Sequence, residues 1–321
     1  MLKHLFVSIL ALLAAQPAMA SSQYPTKPIR LIVTVPPGAG SDLLARTLAG
    51  KLGERLGRQV IVDNRPGASG IIGMDVVAKA NPDGYTLVQG TTSTLAINPV
   101  LMNSLPYDTQ RDFAPISLID DSVMVLVSHP TLPVKDIRGL IALAKARPGQ
   151  LTYASTGAGS MQHLVAHMFS TGSGIELVHV PYKGAAPAFV DLSAGHVVLM
   201  FSGVISAEPY IKSGKLNGLA VTSAHRMEPV MNLPTLKEAG GPDIQASFWN
   251  GILAPARTPR VLVDRLNREI VAILQSPEYI TTIRSRGGTP VSSTPEEFAQ
   301  RMKSEGIKYA KAVKESGARA E

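Results

Sequence analysis

The chain contains no cysteine, which removes disulfides, thiolate nucleophiles and cysteine-ligated metals from consideration. Aromatic residues are scarce, at 5%, with a single tryptophan, Trp249. The lysines and arginines form no run and few aromatics stand between them. A net charge of +7 scattered in this way is a mild attraction for anions, so no nucleic-acid partner is expected. Beyond residue 20, no apolar run reaches bilayer-spanning length without a charge or a turn.

The first twenty residues stand apart. Lys3 and His4 precede the apolar stretch Leu5 to Ala15, and Ala18-Met19-Ala20 supplies a small-x-small site before Ser21. This pattern predicts a secretory signal peptide over 1–20, cleaved after Ala20, and a periplasmic mature protein. Over all 321 residues the chain is 45% hydrophobic and 17% charged, the balance of a folded protein long enough for two lobes.

Strand-like and helix-like periods then alternate. Ile29–Val35, Val60–Val62 and Tyr85–Gln89 read as strands, with helices from Leu43, through Leu44, Leu48, Leu52 and Leu56, and from Ile71 to Ala80. The order restarts with strands at Val123–Val127, Leu151–Ala154, Ile175–Tyr182, Val197–Phe201 and Leu219–Thr222. Helices are expected between them at 137–146, 161–171, 187–194 and 207–212. After "FWNGILAP" the chain reads as helical at 259–275, 277–286 and 295–316, with no strands left for a third sheet. The fold class expected is α/β: two doubly wound lobes joined by a two-strand hinge, with a ligand cleft between them. Lobe one would comprise 21–122 plus 247–321 and lobe two 123–246, with the terminal helices returning to lobe one.

Two turns repeat the string GAGS, Gly38-Ala39-Gly40-Ser41 and Gly157-Ala158-Gly159-Ser160, each between a strand and a helix. A dinucleotide fingerprint needs a third glycine where Leu43 and Gln162 stand, and a P-loop needs a lysine that neither turn has. The remaining role is simpler. Glycine lets backbone N–H groups approach a ligand, and the following helix brings unpaired amides and its positive dipole end to the same point. Two such turns suggest a clamp for the two ends of a dianion; they are equally what any strand-to-helix connection with a serine N-cap would look like. Asp42 would repel an anion, so its carboxylate is expected to bond first-turn amides and face away.

His163 and His167 are four apart on a helix, with His179 on the next strand. Zinc chemistry would want a glutamate where Leu164 stands, so no metal and no cofactor are assigned. His163 reads as a polar lining or cap residue. Neither GAGS serine lies in Gly-x-Ser-x-Gly, and no catalytic residue is assigned. Lys183 is a candidate carboxylate partner, and Tyr182 offers an apolar wall with a hydroxyl.

The ordered segments "PIRLIVTVPPGAGSD", "NRPGASGIIG", "PDGYTL", "YASTGAGSMQHL", "VPYKGAAPA", "LPTLKEAG" and "FWNGILAP" resemble the Bug-type receptors of tripartite tricarboxylate transport systems. The resemblance covers nearly all of the mature chain. It implies a periplasmic solute-binding protein whose two lobes close over a small carboxylate without chemistry. It also implies ligand contacts from Pro37, Gly38, Ala39, Gly40 and Ser41, and from Ser155, Thr156, Gly157, Gly159, Ser160 and His163. Tyr182, Lys183, Gly184, Ala185 and Ser202 would complete the site. Ala39 replaces a glycine that family members often carry, and Ser202 stands where many have an aspartate. An ammonium-bearing ligand is therefore less expected than a plain organic acid. The implied partners are membrane permease subunits, with the receptor a monomer; the alternatives are a receptor for a sensor kinase, or an exported hydrolase using Ser160 with a histidine.

Overall fold

The computed structural model describes residues 24–226, 232–285 and 288–318. The signal-peptide expectation therefore falls outside the described residues. Among those, no helix is long and apolar enough to cross a membrane.

The first part of the chain runs β1 (Ile29–Val33), α1 (Gly40–Leu56), β2 (Val60–Asn64), α2 (Ile71–Ala78), β3 (Thr86–Thr91) and a short α3 (Asn98–Leu101). Helix α1 forms because Leu44, Leu48, Leu52 and Leu56 recur on one buried face, each worth about 2 kcal/mol on burial. Gly57, at φ +66°, ends it in the left-handed conformation. Strand β4 (Phe113–Ser128) follows, then α4 (Ile137–Ala146), β5 (Leu151–Ser155), α5 (Met161–Ser173), β6 (Leu177–Pro181) and α6 (Ala185–Ala194). The chain continues with β7 (Leu199–Gly203), α7 (Val204–Lys212), β8 (Asn217–Val221) and β9 (Ser247–Pro255). Helices α8 (Arg260–Leu274), α9 (Pro277–Arg284) and α10 (Pro295–Ser316) close it.

Nine strands form one curled sheet in the order β2-β1-β3-β9-β4-β7-β5-β6, with β8 also on β4. The sheet is mixed rather than parallel. β1 pairs parallel with β2 and β3, and β5 with β6 and β7, but β9 and β4 insert antiparallel between the two groups. The 16-residue β4 belongs to both halves. Phe113 to Val123 pair with β9, while Met124 to Ser128 pair with β7, and Val125 to Ser128 also with β8. The return passage comes between β8 and β9, where the Ala246 N–H donates to the Thr222 carbonyl at 3.0 Å.

Of the terminal helices, α8 packs on α1 and β4. Helix α10 reaches further than expected, lying against β4, α3 and also α5. Its start is fixed by a capping box between Thr294 and Glu297 with Pro295 at the first helical position. Phe298, Met302 and Tyr309 of α10 share one buried cluster with Trp249, Met124 and Leu164. That cluster runs from one half of the sheet to the other.

Candidate functional site

A cavity of about 410 Å³ lies where the two halves face each other. From the first half it is bounded by Thr34, Val35 and Pro36, by the turn 66–70, and by residues 91–101. From the second half come Thr156, Ala158, Gly159 and Ser160. Its volume suits a small metabolite. No charged side chain bounds it; hydroxyls, one amide side chain, backbone and a few apolar groups do. A larger cavity of about 640 Å³ sits between β4, residues 243–247 and α10. Its charges are already matched, Arg301 with Asp121 and Lys308 with Glu305, and neither glycine turn borders it.

The two GAGS turns prove unlike. In the first, the Gly38 N–H donates to Asp42 Oδ2 at 2.8 Å, and the Ala39 N–H to the Pro36 carbonyl at 3.3 Å. The cap of α1 is Ala39, without a side-chain bond, so Ser41 is no N-cap; its carbonyl instead accepts from Gln89 Nε2 at 2.9 Å. Asp42 is buried, and burial alone would raise its pKa. Hydrogen bonds from Arg46, the Gly38 amide and Asn64 outweigh that and hold it below the usual carboxylate range. Asp42 thus serves the amide ahead of the helix rather than the first-turn amides. Pro37, Gly38, Ala39, Gly40 and Ser41 are not among the residues that bound the cavity; their neighbours Thr34 to Pro36 are.

The second turn is held from within. Ser155 Oγ donates to the Gly157 carbonyl at 3.0 Å, accepts from the Gly157 amide at 3.1 Å, and lies 2.6 Å from His179 Nε2. The Ser160 amide donates to the Gly157 carbonyl at 3.2 Å. Ser160 caps α5, accepting from the His163 amide at 3.4 Å. The Gly159 amide donates to His163 Nδ1 at 3.0 Å. Consequently the amides of Gly157, Gly159 and Ser160 are already engaged. The first-turn amides of α5 at Met161 and Gln162 have no intrahelical acceptor, but neither residue bounds the cavity, whereas Ala158 does. Thr156 adds a hydroxyl, donated to Gln162 Oε1 at 3.0 Å.

His163 and His179 stack at 4.0 Å with planes 3° apart, and Tyr153 stacks beside them. Burial, with the neighbouring His179 and His167, pushes His163 down to about 4, so the ring is neutral at pH 7 and its Nδ1 accepts. His167 turns instead toward Thr171, 3.4 Å away. Ser155 is completely buried, and among the described residues its hydroxyl bonds only Gly157 and His179, with no carboxylate. These groups shape the turn.

The remaining expected residues lie apart from the cavity. Tyr182 donates its hydroxyl to Asp191 Oδ2 at 2.8 Å; burial and Asp191 push its phenol up to about 12. Lys183 is exposed. Gly184, at φ +111°, caps α6, which Ala185 begins. Ser202 is buried on β7 opposite Val125, its hydroxyl 3.4 Å from the Gly203 carbonyl.

Two walls escaped sequence reasoning. Residues Gly67, Ala68, Ser69 and Gly70 have φ of +116°, +46°, +54° and +88°, a left-handed run held by Asn98 Nδ2, which donates to the Ser69 carbonyl at 3.0 Å. Residues 91–98 turn through a π-helical stretch, Ser93–Ile97, bringing Ser93, Thr94 and Asn98 to the cavity. The glycine pair in "RPGASG" and the hydroxyl run "TTST" were the available signals.

The family model for the tripartite tricarboxylate transporter family receptor matches residues 44–317. Protein BugT of Bordetella pertussis is 39% identical over 302 residues, covering 94% of this chain and 93% of its own. Among solved structures, R. palustris Rpa4515 with adipate is 35% identical with a TM-score of 0.81, covering 92% of this chain and 99% of its own. MatC from Rhodopseudomonas palustris with bound malate is 26% identical with a TM-score of 0.76, covering 90% and 100%. The chain belongs to the tripartite tricarboxylate transporter receptor family, the periplasmic solute-binding proteins of the TctC/Bug type.

Proposed function

We propose that this protein captures a small organic dicarboxylate between lobes 21–122 plus 247–321 and 123–246, and delivers it to the membrane subunits of a tripartite tricarboxylate-type transporter. The observation that carries this is the cavity that both halves bound with hydroxyls and amides but no charged side chain. A dianion held there lies beside Ser160, the N-cap of α5, a 13-residue helix whose dipole favours negative charge at that end. Each hydrogen bond to an ionised carboxylate is worth about 1.5–3 kcal/mol. With no buried cation to neutralise, release costs little, as a shuttle requires. Ser202 supplies no counter-charge for an ammonium, so plain or hydroxylated acids fit better than amino acids. The protein acts as a periplasmic monomer after cleavage behind Ala20, needs no cofactor or metal, and leaves its ligand chemically unchanged.

The test is a thermal-shift screen of organic acids followed by calorimetry. We expect a saturable raise in melting temperature with a straight-chain dicarboxylate and a dissociation constant on the order of micromolar, about −8 kcal/mol. No response to any carboxylate would overturn the proposal. Uptake of the bound acid, lost on deleting the receptor gene, tests delivery; retained uptake alongside a lost sensory response would favour a sensor-kinase partner.

A further inference from the structure

Of the four glycines in the two GAGS turns, only Gly159 is crowded. A Cβ on Gly38 or Gly40 would meet nothing within 4 Å, and one on Gly157 only the Tyr182 carbonyl at 4.0 Å. On Gly159 it would lie 2.5 Å from Leu101 Cδ2 and 2.8 Å from Leu101 Cδ1. These two residues come from different halves of the sheet. Leu101 ends α3, behind β3, whereas Gly159 precedes α5, behind β5. Both bound the 410 Å³ cavity. The Gly159 amide is committed to His163 Nδ1, so this glycine does not serve by offering its N–H to a ligand. Its φ of +72° would be met by an asparagine as well as a glycine. What only glycine supplies is the notch that the Leu101 isobutyl group fills.

We propose that Leu101, seated in the notch of Gly159, is the end stop that sets how long a ligand the cleft accepts. This rests on the 410 Å³ cavity being the ligand site. Val35, Ile97 and Leu101 are the larger aliphatic groups that bound the cavity, and Leu101 is the one that meets the other half, at Gly159. Truncating it to alanine removes three carbons, room for roughly two further methylenes of ligand. The class of ligand is an α,ω-dicarboxylate whose last methylenes pack on Leu101 while its terminal carboxylate takes the hydroxyl and amide groups of Ser93, Thr94 and Asn98, so specificity is read as chain length rather than charge.

The experiment titrates the straight-chain dicarboxylates from four to nine carbons against wild type, Leu101→Ala, Leu101→Phe, Gly159→Ala and the Leu101→Ala/Gly159→Ala double variant. Leu101→Ala should move the preferred acid about two carbons longer, improving that acid about tenfold relative to the wild-type preference. Leu101→Phe should move it shorter. Gly159→Ala should weaken every acid and lower the melting temperature, and both losses should shrink when Leu101 is already alanine. Should neither Leu101 variant shift the length profile, or should the Gly159→Ala loss be the same in both backgrounds, the end-stop role is wrong while the receptor function stands. Failure of wild type itself to bind any acid of the series, with other ligands binding, overturns the dicarboxylate class and the end stop together.

Discussion

Replacing Ala68 by glycine should stabilise this protein, against the usual rule. Ala68 sits at φ +46° and Ser69 at φ +54°, between Gly67 and Gly70, themselves at positive φ. A side chain in the left-handed region costs about 1–2 kcal/mol. Glycine relieves that cost but adds about 0.5–1 kcal/mol of unfolded-chain entropy. The net gain for Ala68→Gly is therefore about 0.5–1 kcal/mol, raising the melting temperature by about 1–2 °C for a chain of this length. The strain is kept because it holds one wall of the cavity in a fixed shape, pinned by Asn98. The same variant should accordingly bind its acid about three- to tenfold more weakly, having lost preorganisation. Urea unfolding and calorimetry on one preparation measure both effects. A loss of about 0.5 kcal/mol or more, the ordinary behaviour of glycine, would refute the strain. Gained stability with undiminished affinity would refute its role in binding.

The neutral His163 predicts an acid sensitivity. Its pKa is pushed from 6.5 to about 4 by burial, so the unfolded chain takes up the proton first. The contribution is fully present above pH 6.5 and is lost as pH falls from 6.5 toward 4, by about 3 kcal/mol. Buried Asp120, pushed up to about 6 by desolvation, works in the opposite direction, its penalty fading as pH falls from 6. The difference between wild type and His163→Phe, followed by urea unfolding from pH 7 to 4, cancels Asp120; a difference that does not change with pH would sink the assignment. For Trp249, sequence alone suggests an emission change as a hinge closes. Its ring is fully buried against Phe298, with Nε1 3.4 Å from Glu305. We therefore expect blue-shifted emission whose intensity responds to a bound acid without a red shift, and which EDTA leaves alone; a red shift on binding would mean that the α10 core opens.

Much of the fold was legible because local signals agreed with tertiary ones. Helix α4 runs from Ile137 to Ala146 as expected, since Asp136 caps it and Pro148-Gly149 follows its end. β4 was read only from Val123. Its first half, "FAPISLIDDS", carries Pro115, Asp120 and Asp121 and poor strand propensity. Pairing with β9 makes it a strand all the same, through register shifts between Pro115 and Ser117 and between Leu118 and Asp120. The mixed sense of the sheet was hidden for the same reason, because β9 inserts far out of sequence order. At the site, the GAGS repeat points to residues 157–160, of which Ala158, Gly159 and Ser160 bound the cavity, but not to what occupies their amides. His163 takes the Gly159 N–H through one ring nitrogen, and a tautomer leaves no trace in sequence. The 67–70 wall was obscure because alanine and serine seldom adopt the left-handed region that they occupy there.

Helix α10 has a consequence for the order in which the chain comes together. Gly251 on β9 carries no Cβ because the Phe298 ring occupies that space, and Phe298 also meets Trp249 edge-on at 5.9 Å. The residues that cover the joint between the halves thus come after every strand of the sheet. β9 must meanwhile find β4 across a long loop, Phe113 pairing with Pro255, the non-local kind of contact that makes folding slow. Without Thr294 to Ser316 the cluster around Trp249 has no lid, although the separate cluster around Leu48 and Leu266 draws nothing from α10. Closing the joint between the halves thus waits on α10 as well as on the pairing of β9 with β4.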